Sequence, residues 1–282
     1  MTIVIDIEKK VNSEIIAGRL NREFIMENAA SKCLSFSELC KLHIAENESD
    51  ALALTNDNRF VIPLLCEQNK NSNFSSYKYL ITDYEAVDED FYYKIWLRFL
   101  GIPWHILETD RCIVREMTEA DVEPLYELYR DPSITEYTEP LFPDYEDELE
   151  YTYNYIHNVY EYFGFGTWVV IRKSDGKLIG RAGFNYRPDY EIPEIGYVFG
   201  TPYQHQGYAL EVCGAIINYA LEELDFESIM AFSCPQNLPS LKLLTKLGFR
   251  PDPNIPLPHE AIKDLGFELE AFTLSTYKNL IK

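Results

Sequence analysis

The stretch EIGYVFGTPYQHQGYA, residues 194–209, decides the fold of this chain. Its first part is rich in β-branched and aromatic residues, which predicts a strand that ends at a turn marked by Gly200 and Pro202. From Tyr208 the apolar residues recur with helical spacing, at Leu210, Val212, Cys213, Ile216, Ile217, Ala220 and Leu221. The first N–H groups of such a helix have no partner within it, and the helix dipole is positive there. Residues 204–209 are therefore a candidate phosphate site.

A second segment makes this pattern more specific. Gln204-x-x-Gly207-x-Ala209 alone is a short glycine motif, and an ordinary strand–helix turn explains it about equally well. Downstream, however, the chain reads NLPS at residues 237–240 and KLGF at residues 246–249. A small residue at position 207 also lets the backbone approach a bulky anion.

Together the two segments resemble the coenzyme A-binding segments of the GNAT N-acetyltransferase superfamily. The superfamily's pyrophosphate loop reads (Q/R)-x-x-G-x-(G/A), and its RimJ/RimL-type branch carries N-x-x-S followed by K-L-G-F. The resemblance covers roughly residues 109–250. It implies an α/β (α+β) fold with a mixed, mostly antiparallel sheet flanked by helices. It also implies acetyl transfer from acetyl-CoA, by direct attack, to a primary amine such as a protein N-terminus or a small cationic amine.

The resemblance further implies which residues meet the cosubstrate. The backbone around Val198 and Phe199 is expected to pair with the pantetheine arm and to polarise the acetyl carbonyl. Asn237 is expected to fix the cofactor arm or the loop. The pyrophosphate is expected to meet the backbone N–H groups of Gln204, His205, Gln206, Gly207, Tyr208 and Ala209.

Amine attack on a thioester requires that a proton leave the ammonium and that the departing thiolate gain one. For the base, the resemblance favours Glu194 at the start of the strand, with Glu191 as the alternative. The competing interpretation is a solvated strand-end carboxylate without a catalytic role. Many family members carry a tyrosine as the acid, but the matching position here is Leu244. Ser240 or water is therefore predicted to protonate the thiolate.

The acidic, tyrosine-rich segment 136–151 is the candidate acceptor site. Its Glu136, Tyr137 and Glu139 combine carboxylates with an aromatic face, which suits a cation. A solvated helix face explains the segment about equally well. The proline-rich stretch 251–258, a predicted helix at 260–269 and a predicted strand at 271–277 depart from the family pattern. The resemblance therefore does not identify the acceptor.

Charge and composition limit the classes of partner. The 282 residues carry a formal net charge of −21, which argues against nucleic acid and an anionic membrane and weakly favours a cationic acceptor. No apolar run approaches a membrane span, and residues 1–6 lack the character of a secretion signal. The six cysteines and five histidines show no metal-ligand spacing, which predicts free thiols, no metal and a cytoplasmic protein. The sequence does not predict the oligomeric state.

Two domains are predicted, a small α/β domain of unrecognised role at 1–108 and the acetyltransferase domain at 109–282. In the first domain, helices are expected around 11–30, 36–46 and 88–100, and strands at 2–6, 51–55, 60–65 and 77–81. A different class of function stays open. The extra domain and Leu244 are also compatible with a catalytically silent acyl-CoA-binding sensor or interaction module.

Overall fold

The structure is a computed structural model, and it describes residues 2–258 and 269–275. The chain divides into two compact units, Met1–Trp104 and His105–Lys282. The sequence analysis placed the domain boundary after residue 108. The structural division falls earlier because the strand His105–Glu108 pairs with the strand Cys112–Arg115 in the sheet of the second unit.

The first unit contains a three-stranded sheet in the order β1-β2-β3, antiparallel between β1 and β2 and parallel between β2 and β3. Trp96 is fully buried in this unit, and its indole N–H donates to the carbonyl of Leu39 at 2.7 Å. The elements of the unit are β1 (Thr2–Asp6), α1 (Glu8–Ile16), α2 (Arg22–Ser31), α3 (Phe36–Leu39), β2 (Lys41–Ala45), α4 (Glu48–Asn56), β3 (Phe60–Pro63) and α5 (Glu89–Phe99).

Two helix predictions in this unit were too long. The helix expected at 11–30 is broken between α1 and α2, where Gly18 adopts φ 73°. The helix expected at 36–46 begins at its capping box, Ser35 with Glu38, but ends at Leu39. The residues that follow form the central strand β2, because pairing on both sides outweighs the local helical pattern.

Two strand predictions were also wrong. Residues 51–55 lie inside α4, which begins where the Asn47 side chain accepts the N–H of Asp50. Residues 77–81 contribute a single bridge to Leu64 instead of a strand. Both stretches are apolar and short, and such runs do not distinguish a strand from a buried helix.

The second unit is built on an eight-stranded sheet in the order β10-β11-β9-β8-β7-β6-β5-β4. All neighbouring strands are antiparallel except β8 and β9, which are parallel. The mixed, mostly antiparallel sheet expected from the sequence is confirmed. Its strands are β4 (His105–Glu108), β5 (Cys112–Arg115), β6 (Thr167–Arg172), β7 (Leu178–Asn185), β8 (Glu194–Phe199), β9 (Ser228–Ser233), β10 (Arg250–Pro251) and β11 (Glu270–Ser275).

Helices flank this sheet, and α9 buries its apolar face in the core with Val212, Cys213 and Ile216 fully buried. A π-helical turn (Ile156–Tyr160) connects α7 to α8. The predicted helix at 260–269 lies almost wholly outside the described residues. None of the helices among those residues has the length and apolar character needed to cross a bilayer. The helices are α6 (Val122–Leu128), α7 (Tyr145–Tyr155), α8 (Glu161–Phe163), α9 (Tyr208–Glu222) and α10 (Leu238–Lys246).

The sheet opens beside β8. This strand pairs with β7 along its whole length, from Glu194 to Phe199, but with β9 only where Glu194 faces Met230. Beyond that position the two parallel strands diverge and leave a gap between them. Strand β9 remains paired with β11 along its length, so the gap is confined to one side of β9.

Candidate active site

The loop between β8 and α9 lies at the end of the gap. Two of its residues have left-handed backbone conformations, His205 with φ 59° and Gly207 with φ 84°. Gly207 caps α9 without a side-chain hydrogen bond, so this residue supplies no acceptor for the first turn. Residues 205–207 are exposed. The unpaired N–H groups at the start of α9 are thus open to an anion.

Side chains of the loop fold back on its own backbone. The Gln204 amide donates to the carbonyl of Phe199 at 2.9 Å, and the Gln206 amide donates to the carbonyl of Pro202 at 2.6 Å. The tyrosine at position 208 is buried in the core. These side chains shape the loop, and its main chain is the part presented outward.

Arg111, the residue before β5, holds the loop in place. Its guanidinium donates to the carbonyl of Gln206 at 3.0 Å and to the Glu211 carboxylate at 2.6 Å, and it lies 4.1 Å from the ring centroid of Tyr208. A Cβ on Gly207 would come within 3.4 Å of this guanidinium. The sequence analysis did not predict Arg111, because nothing local to it indicates a partner almost one hundred residues away.

The backbone N–H and carbonyl groups of β8 point alternately towards β7 and towards β9. Gly200 donates its N–H to β7 at 3.0 Å, whereas the carbonyl of Pro193 accepts from β9 at 2.9 Å. Because ladder groups alternate along a strand, Val198 directs its N–H and carbonyl towards β7. Tyr197 and Phe199 direct theirs into the gap. Of the two residues predicted to meet the pantetheine arm, only Phe199 has this orientation, and Tyr197 is the other residue that shares it.

Three hydroxyl groups meet across the gap. The Tyr197 hydroxyl lies 3.0 Å from Ser240 Oγ, and Ser233 Oγ donates to Ser240 at 2.9 Å. Asn237 caps α10 by accepting the Ser240 N–H at 3.2 Å. Burial raises the pKa of Tyr197, against the smaller opposing effect of the Ser240 hydrogen bond. The phenol therefore stays protonated at neutral pH and can donate to Ser240.

Leu244, the position that the resemblance matches to a catalytic tyrosine, is a core residue. Leu244 is 1% exposed and belongs to the core of the second unit. Its helix, α10, instead brings Ser240 to the gap. Tyr197 reaches the same place from β8, which sequence reasoning missed because the pairing depends on how the two elements are packed.

Glu194 is buried at the closed end of the gap, with 8% of its surface exposed. Burial raises the pKa of its carboxyl, which the ion pair with Arg187 opposes and the charge of Glu139 reinforces. A carboxylate whose pKa lies above its ordinary value is suited to accept a proton near neutral pH. The alternative base, Glu191, is exposed.

A cavity of about 340 Å³ covers the face of β7 and β8 that carries Glu194. Tyr137 and Glu139 of the predicted acceptor segment line the cavity. Glu136 does not line it, and its hydrogen bond with the Tyr137 side chain raises the pKa of Tyr137. The charged side chains in the cavity lining are two cations, Arg181 and Arg187, and two anions, Glu139 and Glu194. The remaining side chains are mainly tyrosines and small polar or apolar groups.

Arg181 was not predicted from the sequence, although a lone arginine inside the apolar strand β7 was a signal for it. It faces the cavity, donates to the hydroxyl of Tyr129 and lies 5.1 Å from the centroid of that ring. The part of the chain that the structure describes contains no group of three or more histidine, cysteine or acidic residues placed to hold a metal ion. All six cysteines are free thiols.

Comparison with known proteins agrees with this geometry. Residues 111–250 match the family model of the acetyltransferase (GNAT) domain. The chain is 30% identical over 145 residues to the uncharacterized N-acetyltransferase YnaD of Bacillus subtilis strain 168, covering 51% of this chain and 82% of that protein. It is likewise 30% identical over 146 residues to the uncharacterized N-acetyltransferase p20 of Bacillus licheniformis, covering 51% and 82%.

The fold is also found among solved structures. The apo crystal structure of RimL, a ribosomal L7/L12 alpha-N-protein acetyltransferase, superimposes with a TM-score of 0.52 at 14% sequence identity. The match covers 62% of this chain and 96% of RimL. At this identity the likeness concerns the fold alone. The sequence relatives and the family model together show that the chain belongs to the GNAT acetyltransferase family and is an acyltransferase.

Proposed function

We propose that this enzyme transfers an acetyl group from acetyl-CoA to a primary amine by direct attack. The observation that carries the proposal is the divergence of β8 from β9 after Glu194. The gap runs from a buried carboxylate, past three hydroxyl groups, to an exposed loop at a helix N-terminus. A thioester on a long phosphate-bearing arm fits this sequence of groups.

On the cosubstrate side, the contacts are mainly with the backbone. The N–H groups of residues 205–209 would bind the pyrophosphate, as the exposure of the loop and the start of α9 support. The N–H of Gln204 already donates to the carbonyl of Thr201 at 3.3 Å. The backbone of Tyr197 and Phe199 would pair with the pantetheine arm. Asn237 would contribute by fixing the first turn of α10 beside the arm.

In the reaction, the amine nitrogen forms a bond to the acetyl carbon and the carbon–sulfur bond breaks. Glu194 accepts the proton that the amine loses, directly or through water. The backbone N–H groups that face the gap stabilise the charge on the carbonyl oxygen. Ser240 donates a proton to the departing thiolate of coenzyme A and takes one from water in its place, and the hydrogen bonds from Tyr197 and Ser233 hold its hydroxyl in position.

The acceptor enters through the cavity. Tyr137 and Glu139 line the cavity and would meet the acceptor, whereas Glu136 is not part of this lining. A protein N-terminus, the acceptor type in the name of RimL, and a small amine both supply the primary amine that the chemistry requires.

Binding and turnover test the proposal separately. Titration calorimetry with coenzyme A should detect binding, and release of free thiol from acetyl-CoA should depend on an added amine. The acceptor panel comprises polyamines, aminoglycosides, amino acids and short peptides with a free N-terminus. Binding without acceptor-dependent thiol would indicate the sensor alternative, and the absence of binding would contradict the proposed cosubstrate.

A further inference from the structure

The cavity contains a cation, Arg181, that has no role in the reaction proposed above. Arg181 projects from the middle of β7, where its strand pairs with Val198 of β8. It thus lies one strand away from the gap, on the face over which the acceptor would approach. Neither proton transfer nor binding of coenzyme A involves this guanidinium.

The described surroundings of Arg181 satisfy only part of it. A guanidinium has five N–H donors, and within residues 2–258 and 269–275 its hydrogen-bond partner is the hydroxyl of Tyr129. In the same part of the chain no carboxylate lies within ion-pair distance of it. Glu148 acts on it from farther away, and its carboxylate accepts the N–H of Phe142 at 2.9 Å.

Phenol groups surround the guanidinium on the cavity side. Tyr155 accepts the N–H of Thr167 at 2.8 Å through its hydroxyl oxygen and also interacts with the side chain of Thr167, so a ligand would compete with Thr167 for the hydroxyl hydrogen. The positive charge of Arg181 acts on Tyr151 and Tyr155, where it opposes the larger effect of burial on their pKa values. Together the guanidinium and the phenols present several donors to one place, while the charges of Glu148 and Glu139 act on Tyr151 from farther away.

An acceptor would suit this arrangement. Arg181 is partly buried and has lost some of its hydration, and its remaining donors face the cavity, where an acceptor can take the place of water. A carboxylate is the natural complement, because it accepts two parallel hydrogen bonds from a guanidinium and further ones from phenols. A ligand with positive charge alone would be repelled from this end of the cavity.

We propose that the acceptor carries a carboxylate as well as the amine, and that Arg181, with Tyr129 and Tyr155, binds this carboxylate. The inference rests on the proposed acetyl transfer. The carboxylate belongs either to a free amino acid or to an acidic residue close to a peptide's N-terminus. Arg181 is a specificity-determining residue in this role and takes no part in proton transfer.

The test uses two matched series of acceptors with the full-length enzyme and acetyl-CoA. One series is the unbranched amino acids from glycine to 6-aminohexanoate, in which the spacer between amine and carboxylate grows by one methylene group at a time. The other series is the corresponding primary amides. A second arm compares tetrapeptides with an aspartate or glutamate at their second or third position with the asparagine or glutamine versions. Net charge favours the amides on this acidic protein, so a preference for the acids would have to come from the site.

We expect the acid of the best chain length to exceed its amide by about tenfold or more in kcat/KM, since hydrogen bonds between two charged groups are strong. Arg181→Met should abolish this preference by lowering the rate with the acid and leaving the rate with the amide. Arg130→Met, on an exposed residue, is the matched control and should retain the preference. A preference confined to the acidic peptides would assign the carboxylate to a peptide acceptor.

Equal rates with acids and amides in the wild-type enzyme would overturn the inference and leave acetyl transfer intact. No turnover with any amine would overturn the proposed function itself, and this inference with it. Thermal unfolding of Arg181→Met gives an independent measurement. We expect little change in Tm, because the substitution removes one hydrogen bond, to Tyr129, and breaks no ion pair within the described residues. A large fall in Tm would mean that the protein's own groups already satisfy the charge.

Discussion

The loop at 204–209 lies at the end of the gap and the cavity covers the face of β7 and β8 beside it, and the two offer a ligand different parts of the chain. The loop presents main-chain N–H groups, and its glutamine side chains bond back to the loop. The cavity presents side chains such as Arg181 and Glu194 from separate strands. The loop should therefore depend on backbone conformation and the cavity on side-chain identity. The predictions below test this difference.

The largest effect is expected in the cavity. Glu194→Gln should lower kcat about 100-fold or more, in the range of a lost general base, with the affinity for coenzyme A unchanged. Burial raises the pKa of Glu194, and the carboxylate must be ionised to accept a proton. Activity should thus fall as the pH drops through an inflection above the ordinary range of a glutamate.

Two further variants serve as controls for this prediction. Arg187 opposes the rise in the Glu194 pKa, so Arg187→Gln should move the inflection in kcat to higher pH. Glu191→Gln alters an exposed carboxylate that lies, like Arg187, between β7 and β8. This variant should leave both kcat and the pH profile unchanged. Equal losses in the Glu191 and Glu194 variants would refute the assignment of the base.

The next effect should come from the backbone of the loop. Gly207→Val places a β-branched residue at φ 84°, a conformation that costs such side chains about 1–3 kcal/mol. The loop should then leave this conformation and turn its N–H groups away from the pyrophosphate. We expect the Kd for coenzyme A, measured by calorimetry, to rise about 30-fold.

Gly176→Val is the matched control for the loop. Gly176 has φ 68° in the turn between β6 and β7, and a Cβ there would have nothing within 4 Å. The substitution imposes a similar backbone cost away from the gap. It should lower the Tm and leave the Kd for coenzyme A unchanged. A comparable loss of binding in both variants would attribute the effect to general destabilisation.

A smaller effect is expected where side chains from both sides of the gap meet. Ser240→Ala and Tyr197→Phe should each lower kcat about tenfold, because each disrupts the hydroxyl group that would protonate the thiolate. The double variant should be little worse than either single one, since both act through one interaction. Tyr126→Phe, which removes a hydroxyl bonded to the Phe142 carbonyl, should have no effect. Additive losses would separate the roles of Tyr197 and Ser240.

The same contrast explains how much could be predicted from the sequence. The loop and β8 are contiguous, so one motif and one change of periodicity indicated both the strand and the helix that follows. The second unit generally has long periodic segments of this kind. In the first unit, residues 41–45 and 51–55 were assigned to the wrong element, because each stretch is short. Pairing on both sides makes 41–45 a strand, and the cap at Asn47 begins the helix that contains 51–55.

The cavity could be predicted only in part. Glu194 follows from its place at the start of β8, but the ion pair with Arg187 and the contact of Tyr197 with Ser240 depend on packing. The orientation of Val198 towards β7 follows from the register of the ladder, which no single strand reveals. Predicting the position of Arg181 in the cavity would have required both the register of β7 and the position of Tyr129 at the end of α6.

The smallest effect should be at His205, and it tests the role of the loop's main chain most directly. The imidazole is exposed and the residue has φ 59°, a conformation that asparagine tolerates better than most residues. His205→Asn thus removes the side chain and preserves the backbone. The Kd for coenzyme A should change less than about twofold, in contrast to Gly207→Val two residues away. A tenfold loss would mean that the imidazole itself binds the cosubstrate, and the loop would then depend on side-chain identity as the cavity does.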